Sequence, residues 1–249
     1  MSSPDLNLLG IMAYFKQGNG HKCLILGHQE RLNTNPVPAI QAALGLLANG
    51  EKICQMYVAS CSSDPGYGLI AAPDYYQPLE ADGVVLTERD SAVIMQTADC
   101  PTVILTNKKS GRKVVVHAGR AALTPHSVGD RENTTIIETA LAALNARDLS
   151  EVVVLVVGDI CGYCFKHDAP EARHLIEPFL MFGDEVFFDR DHFGLSLFMV
   201  IEIRLIAAGV PRGNITHANE CTYEKGRYAS HRRDGDRNDR NHVIVVKTT

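Results

Sequence analysis

The strongest constraint on the fold comes from residues 93–123, where three short apolar runs alternate with polar segments. The second and third runs, residues 102–106 and 113–116, are separated by a polar turn that contains glycine. Short β-branched runs on either side of such a turn predict a β-hairpin. Cys100 lies just before one strand of this hairpin and His117 ends the other. The sequence therefore predicts that this thiol and this imidazole are neighbours at the edge of a sheet.

A thiol and an imidazole at neighbouring strand ends have two chemical uses. Both are ligands for zinc or copper, and together they are also the nucleophile and the general base of cysteine enzymes. Asp99, which precedes Cys100, would orient the imidazole or a bound water, or would only cap the turn. The structural alternative is a cysteine that packs as a small apolar residue beside a hydrogen-bonded histidine.

Composition excludes several classes of protein. With 249 residues, 45% of them hydrophobic, the chain can bury a core without disulfides. A net charge of −5 gives no general reason to expect binding to nucleic acid or to an anionic membrane. No apolar stretch approaches the roughly 20 residues of a membrane span. Seven cysteines, an odd number, and the absence of a leader pattern predict reduced thiols in the cytoplasm.

Predicted strands and helices alternate along the chain. Apolar periodicity predicts helices at residues 38–47, about 134–145, 170–182 and 195–208. Apolar runs predict further strands at residues 8–15, 22–26, 52–59, 152–157, 186–188, 214–216 and 242–246, with a long loop at 61–82. The alternation predicts an α/β or α+β fold in a single domain over residues 1–249.

Two other segments carry candidate functional residues. Cys161 and Cys164 form a C-x-x-C sequence, which occurs in redox proteins and in structural zinc sites. Because no helix start follows it and the chain has no second C-x-x-C, we interpret the segment as a turn that passes close to a ligand.

Residues 227–240 hold five arginines and one histidine. Adjacent guanidinium groups make bidentate contacts to phosphate or carboxylate, so Arg232 and Arg233 are candidate anion-binding residues. Asp234 would then fix one arginine, and Gly235 would turn the chain. A solvated surface loop is the structural alternative.

Taken together, these segments resemble the YfiH-like proteins, also called the multicopper polyphenol oxidase or laccase-domain family. The matching segments are Thr97-Ala98-Asp99-Cys100-Pro101, Val116-His117-Ala118-Gly119, Gly158-Asp159-Ile160 with Cys164-Phe165, Ala208-Gly209-Val210, Cys221-Thr222-Tyr223 and residues 230–235. The similarity extends from about residue 39 onward. It implies a single layered α/β/β/α domain with mixed β-sheets, which is also similar to the fold of deamidating bacterial toxins.

The resemblance also implies a function. It implies a metal-dependent purine nucleoside enzyme that carries out phosphorolysis of adenosine, inosine or methylthioadenosine and deaminates adenosine. Its partners would be small molecules, a purine nucleoside and phosphate, and one Zn or Cu would be its cofactor. The implied catalytic residues are Cys100, His117 and Asp99, and the implied phosphate-binding residues are Arg120, Arg232 and Arg233.

The chain departs from the family pattern at one implied metal ligand. The family's first ligating histidine would align within residues 55–58, which contain none. Either Cys61 or Tyr57 substitutes for it, or the site has only two ligands. We assign the ligand set Cys100, His117 and Cys61. The tryptophan that follows His-Ala-Gly in the family is also absent, and the arginine is displaced to Arg120.

Three other functions stay open. A metal-free cysteine hydrolase or amidase would use Cys100 as nucleophile and His117 as base. A polyphenol oxidase, which the family name suggests, would need several copper sites that one cysteine and one or two histidines do not supply. A paralogue that keeps the fold and has lost its activity is the third.

Overall fold

The computed structural model describes residues 11–17, 21–26, 44, 47, 55–60, 70–71, 78–128, 131–189, 191–235 and 240–247. The strands, numbered in chain order, are β1 Ile11–Gln17, β2 His21–Leu26, β3 Gln55–Ser60, β4 Ile70–Ala71, β5 Pro78–Glu80, β6 Gly83–Leu86, β7 Ser91–Thr97, β8 Thr102–Asn107, β9 Lys113–His117, β10 His126–Val128, β11 Arg131–Thr134, β12 Val152–Val157, β13 Phe187–Asp189, β14 Gly194–Leu195, β15 Ile215–His217 and β16 Asn241–Lys247. The α-helices are α1 Arg120–Leu123, α2 Ile136–Leu144, α3 Leu197–Ala208 and α4 His231–Asp234.

Two six-stranded sheets form the framework of the described residues. The first sheet has the order β1-β2-β16-β7-β3-β5, and the second has the order β15-β12-β8-β9-β6-β4. Both sheets are mixed, because β3 pairs parallel with β7 while β16 pairs antiparallel with it, and β12 pairs parallel with β15 but antiparallel with β8. The predicted mixed α/β architecture is confirmed.

The predicted hairpin is present and explains how the chain brings Cys100 to His117. Strands β8 and β9 pair antiparallel, with Thr102 opposite His117. Strand β7 lies in the other sheet, so the chain crosses from one sheet to the other between Thr97 and Thr102. This crossing contains Cys100 and ends beside the last residue of β9.

The core has two parts, one on each face of the second sheet. Alternate side chains along a strand point to opposite faces, so neighbours in β9 belong to different parts. Val114 and Val116 pack with residues of α2 and α3, among them Ile137 and Val200. Val115 packs in the second part of the core, together with side chains from the first sheet. The described layers are thus helices, sheet and sheet. The helix predicted for residues 38–47 falls almost wholly outside the described residues, although Leu47 is helical and buried.

Local sequence signals set the ends of the two longer helices. Thr135 caps α2 through a capping box with Glu138, and Asn145 ends it in the left-handed region. Ser196 caps α3, and Gly209 ends it with φ of 105°. These helices match the predicted ones within two residues at each end.

The single helix predicted for residues 170–182 is wrong in type. The structure has two consecutive 3₁₀ helices there, Pro170–Leu175 and Glu177–Phe182. Pro178 lies inside the predicted helix and has no N–H to donate, so a continuous α-helix cannot pass through it. The loop predicted for 61–82 contains the short strands β4 and β5, and the rest of it before Pro78 lies outside the described residues.

Candidate functional site

A cavity of about 750 Å³ opens where the crossing between the sheets, the end of β9 and the start of α1 meet. Its wall includes all but one of the described residues that the sequence assigned to the site. The assigned residues in the wall are Asp99, Cys100, His117, Arg120 and Arg232. A cavity of this volume falls in the range that small-molecule sites occupy.

Cys100 and His117 face the same point of this cavity, next to Gly119. A Cβ atom on Gly119 would lie 3.1 Å from Cys100 Sγ and 3.1 Å from His117 Nε2. The sulfur and the ring nitrogen are therefore no further apart than twice this distance. The backbone φ of residue 119 is −66°, which any residue can adopt, so its backbone conformation does not require glycine. Glycine is needed here because a Cβ atom would meet the Cys100 and His117 side chains.

Asp82, which the sequence analysis did not assign to the site, supports the imidazole from behind. Its buried carboxylate Oδ1 lies 3.6 Å from His117 Nδ1, and its carbonyl oxygen accepts a hydrogen bond from the backbone N–H of His117 at 2.7 Å. A carboxylate on the Nδ1 side orients the ring so that Nε2 faces the cavity. The only local signal is an acidic residue directly before the buried strand β6.

Asp99 holds the turn that carries Cys100. Its Oδ1 accepts a hydrogen bond from Thr222 Oγ1 at 2.6 Å, and its Oδ2 accepts one from the backbone N–H of Arg232 at 2.7 Å. Its φ is +79°, in the left-handed region that aspartate tolerates better than most residues. With both carboxylate oxygens bonded to other segments, Asp99 acts here as a positioning residue.

Two arginines make one wall of the cavity cationic. Arg120 Nη1 donates to the carbonyl oxygen of Leu175 at 3.4 Å, and Arg232 Nη1 donates to that of Lys166 at 2.5 Å. The Arg232 guanidinium also lies 5.0 Å from the centre of the Phe165 ring.

The charges of these two arginines act on neighbouring groups of the cavity wall. Burial lowers the pKa of Arg120, and the charge of Arg232 lowers it further, while the Cys100 thiol opposes the shift. Burial also lowers the pKa of His167, another residue of the cavity wall, and both arginines add to that shift. An anion bound in the cavity would relieve this repulsion.

Arg233 lies elsewhere. Its Nε and Nη2 donate to the two carboxylate oxygens of Asp234 at 2.8 Å, and its Nη1 donates to the carbonyl oxygens of Thr222 and Tyr223 at 2.9 Å. The wall of the cavity does not include it. The expectation that Asp234 fixes one arginine is met by Arg233, and Gly235 turns the chain with φ of 71°. The cavity's phosphate-binding candidates are thereby reduced to Arg120 and Arg232.

The residues at the cavity offer two donors to a metal. Cys100 Sγ and His117 Nε2 have the donor chemistry that zinc and copper prefer. Over the described part of the chain, no third histidine, cysteine or carboxylate lies close enough to complete their set. A catalytic zinc site uses three protein ligands, so the described residues alone do not fit one. Cys61 and the side chain of Tyr57 lie outside the described residues, and the role assigned to Cys61 stays a prediction.

A second cluster of potential ligands lies outside the cavity. Cys161, Cys164, Cys221 and Glu224 place their ligand atoms within 4.8 Å of one another. Cys221-x-x-Glu224, the pair that lies beside Cys161 and Cys164, is not a C-x-x-C sequence, and the sequence therefore did not predict it. The interpretation of residues 158–164 as a turn that passes close to a ligand stays a prediction, and this grouping adds a second pair of potential metal ligands beside that turn.

Comparison with known proteins gives a family and a fold. The model of a family described as multi-copper polyphenol oxidoreductase laccase matches residues 50–247. The solved structure of a Bacillus licheniformis hypothetical protein, YfiH, is similar with a TM-score of 0.74 at 15% identity, covering 97% of this chain and 98% of that chain. YlmD from Geobacillus stearothermophilus is similar with a TM-score of 0.71 at 16% identity, covering 95% and 99%.

A Neisseria meningitidis protein of the DUF152 family has a TM-score of 0.70 at 15% identity, with 96% of this chain and 100% of that chain covered. None of the curated proteins matches the sequence. Among the helices of the described residues, none has the length and apolar character needed to cross a membrane.

Proposed function

We propose that this chain, which belongs to the multi-copper polyphenol oxidoreductase laccase family, cleaves purine nucleosides with phosphate. The proposal takes the substrate class from the resemblance to YfiH-like proteins. The observation that carries it is a single cavity in which two guanidinium groups share a wall with the Cys100 and His117 side chains. Phosphorolysis needs a cationic site for phosphate beside groups that act on the nucleoside.

In this reaction a phosphate oxygen bonds to C1′ of the ribose while the bond from C1′ to the purine breaks. The electron pair of that bond stays on the purine, which takes up a proton. Arg120 and Arg232 would hold the phosphate through charge-assisted hydrogen bonds and bring it to the sugar. Protonated His117, with Asp82 behind its Nδ1, would supply the proton from Nε2. Cys100 Sγ would lie beside the ribose, where the lone pairs of the sulfur favour the positive charge that develops there.

We derive no step through a metal at this cavity, because only two of its ligands lie among the described residues. Zinc or copper held by Cys100, His117 and Cys61 remains the prediction from the resemblance. Deamination of adenosine, which requires an activated water, depends on that third ligand. Polyphenol oxidation, the activity in the family's name, would need several copper ions working together, and we do not propose it.

The test is product analysis. Purified protein incubated with inosine and phosphate should release hypoxanthine and ribose 1-phosphate, and omission of phosphate should stop the release. Arg212→Met should leave this release unchanged and is the control for substitutions of Arg120 or Arg232, because Arg212 is exposed and pairs with Glu202 away from the cavity. No purine base above background from inosine, adenosine or methylthioadenosine, with zinc and copper supplied in turn, would reject the proposal.

A second candidate function is favoured by one observation. In space, the Asp82 carboxylate, the His117 imidazole and the Cys100 thiol follow one another as the carboxylate, the base and the nucleophile of cysteine hydrolases do. Such an enzyme would attack an amide or ester carbon with Cys100 after His117 had taken the thiol proton. Rapid alkylation of Cys100 by iodoacetamide near neutral pH, without a chelator, would support this candidate. Alkylation only after metal removal would identify Cys100 as a ligand instead.

A further inference from the structure

Four side chains with metal-ligating atoms converge on one point outside the cavity. Cys161 Sγ and Cys164 Sγ lie 3.8 Å and 3.7 Å from the same carboxylate oxygen, Oε1 of Glu224. Cys221 Sγ completes the group, in which every pair of ligand atoms lies within 4.8 Å. Zinc in a tetrahedral thiolate site has Zn–S distances of about 2.3 Å, so its sulfurs lie roughly 3.8 Å apart. The cluster is close to this size already.

The backbone supplies these donors in the manner of a zinc site built from two short loops. One loop closes when the N–H groups of Cys164 and Phe165 donate to the carbonyl oxygen of Cys161 at 3.0 Å. The other closes with the N–H of Lys225 donating to the carbonyl oxygen of Cys221 at 3.1 Å. Each loop thus presents two ligands separated by two residues, which is the spacing found at one end of structural zinc sites.

A further contact links the loops. The backbone N–H of Cys161 donates to Cys221 Sγ at 3.3 Å. Hydrogen bonds from backbone N–H groups to ligating sulfurs orient thiolates and stabilise their negative charge. Cys221 is buried, Cys161 and Cys164 are half-buried, and Glu224 is exposed. The exposed carboxylate leaves a route from solvent to the sulfurs.

We propose that Cys161, Cys164, Cys221 and Glu224 bind a zinc ion that ties the two loops together. Three thiolates and one carboxylate form a closed set of four ligands, which is the number found in structural sites. The sulfur-rich donor set selects zinc over magnesium or calcium, whose ligands are oxygens. This proposal does not rest on the function proposed for the cavity.

The donor set of the cluster suits a divalent cation. Such an ion would stabilise the thiolate forms of the three cysteines directly and would neutralise charge on the Glu224 carboxylate.

Bound zinc would also stabilise the wall of the cavity. Ile160, next to Cys161, donates its N–H to the carbonyl oxygen of Asp99 at 2.9 Å. Thr222, next to Cys221, donates its hydroxyl to the Asp99 carboxylate. Each loop of the zinc site is thus bonded to the residue that positions Cys100. The ion would hold the turn that contains Asp99 and Cys100 in place, without contacting a substrate in the cavity.

The test is metal content and spectroscopy of the full chain under reducing conditions. Wild type, Cys164→Ser and Cys100→Ser are loaded with zinc and dialysed, and the bound metal is counted. Cys100→Ser should keep the ion of the cluster, while Cys164→Ser should lose it, with affinity at least about 100-fold lower. Cobalt-loaded wild type and Cys100→Ser should both show intense thiolate-to-cobalt charge-transfer bands. Glu224→Gln, at an exposed position, guards against misfolding and should weaken zinc binding while the fold is retained.

Several results would overturn the proposal. The first is that the wild-type protein binds no zinc although all of its thiols are free. The second is that Cys100→Ser loses the only bound zinc while Cys164→Ser retains it. The third is that the cobalt spectra show no thiolate bands. A mass lower by two hydrogens after isolation, with a disulfide mapped to Cys161, Cys164 or Cys221, would identify the cluster as a redox site instead. Because these measurements do not use enzymatic activity, their failure is separate from failure of the nucleoside assay.

Discussion

The cavity and the thiol cluster both hold cysteine sulfur, but they differ in how many donors they gather and in what surrounds them. The cavity of about 750 Å³ has one sulfur, one imidazole nitrogen and two guanidinium groups in its wall. The cluster confines three sulfurs and a carboxylate within 4.8 Å of one another. A site with open positions can admit a substrate, whereas a closed set of four ligands can only hold an ion. This difference is the basis for proposing a catalytic site at the cavity and a structural metal site at the cluster.

The two regions also differ in the charge of the side chains that surround them. Burial and then the charge of Arg232 lower the pKa of Arg120 in the cavity wall, and an anion bound there would be favoured by both cations. The cluster joins three thiols to a carboxylate, and we propose a cation for that region. The segment between β7 and β8 links the two regions. Its residue Asp99 is hydrogen-bonded to Thr222, inside one loop of the cluster, and to Ile160, which precedes the other loop.

The largest expected effect of a substitution is at His117. His117→Asn removes the proposed proton donor, and kcat/KM for phosphorolysis should fall by about 10²- to 10⁴-fold. Zinc binding at the cluster should not change, because the two regions have separate ligands. The exposed His126 provides the matched control, and His126→Asn should keep both properties. An equal loss of zinc in His117→Asn would break the separation of the two regions.

Removal of the carboxylate behind the imidazole should have the next largest effect. Asp82→Asn leaves the ring in place but loses the charge that orients and stabilises its protonated form, so kcat should fall by roughly 10- to 100-fold. The KM for the nucleoside should change little, because Asp82 contacts His117 and lies behind it. Steady-state kinetics separates the two parameters. A rise in KM with unchanged kcat would assign Asp82 to substrate binding instead.

Much of the cavity could be predicted from sequence because its parts are close in the chain. Cys100 and His117 lie on one hairpin, and periodicity together with a glycine turn is enough to place them side by side. Asp82 was missed because β6 pairs with β9 across a separate connection that no local pattern reveals. Asp99 was found, but its role depends on Thr222 and Arg232, more than a hundred residues away.

The thiol cluster shows the limit of motif spacing more clearly. The Cys161-x-x-Cys164 half was visible in the sequence, but its partner half lies about 60 residues further on, after α3 and β15. A cysteine and a glutamate separated by two residues have no distinctive signature alone. Only the parallel pairing of β12 with β15 brings the segments that follow these strands together. Sequence patterns indicate contacts between residues that are close in the chain, whereas this cluster depends on a contact between segments about 60 residues apart.

A smaller effect is expected at the cationic wall. Arg232→Met removes one of the two guanidinium groups proposed for phosphate, so the KM for phosphate should rise about tenfold or more. The KM for the nucleoside should stay near its wild-type value. Initial rates at varied phosphate and fixed inosine measure this difference. An unchanged KM for phosphate would remove Arg232 from the proposed anion site.

The smallest effect is expected from metal removal, and it is read as stability. A chelator should lower the midpoint temperature of thermal unfolding of the wild type. An ion that binds only the folded state, at a free concentration 100 times its Kd, contributes about 2.7 kcal/mol to the free energy of unfolding. Cys100→Ser should respond to the chelator as wild type does, and Cys164→Ser should not respond. A chelator response that disappears in Cys100→Ser but persists in Cys164→Ser would move the stabilising ion from the cluster to the cavity.

The most direct test of this division is the position of zinc in crystals of the full chain grown with zinc and phosphate. An anomalous difference map at the zinc edge should show a peak among Cys161, Cys164, Cys221 and Glu224, with phosphate density beside Arg120 and Arg232. A map without a peak at the cluster would contradict the account.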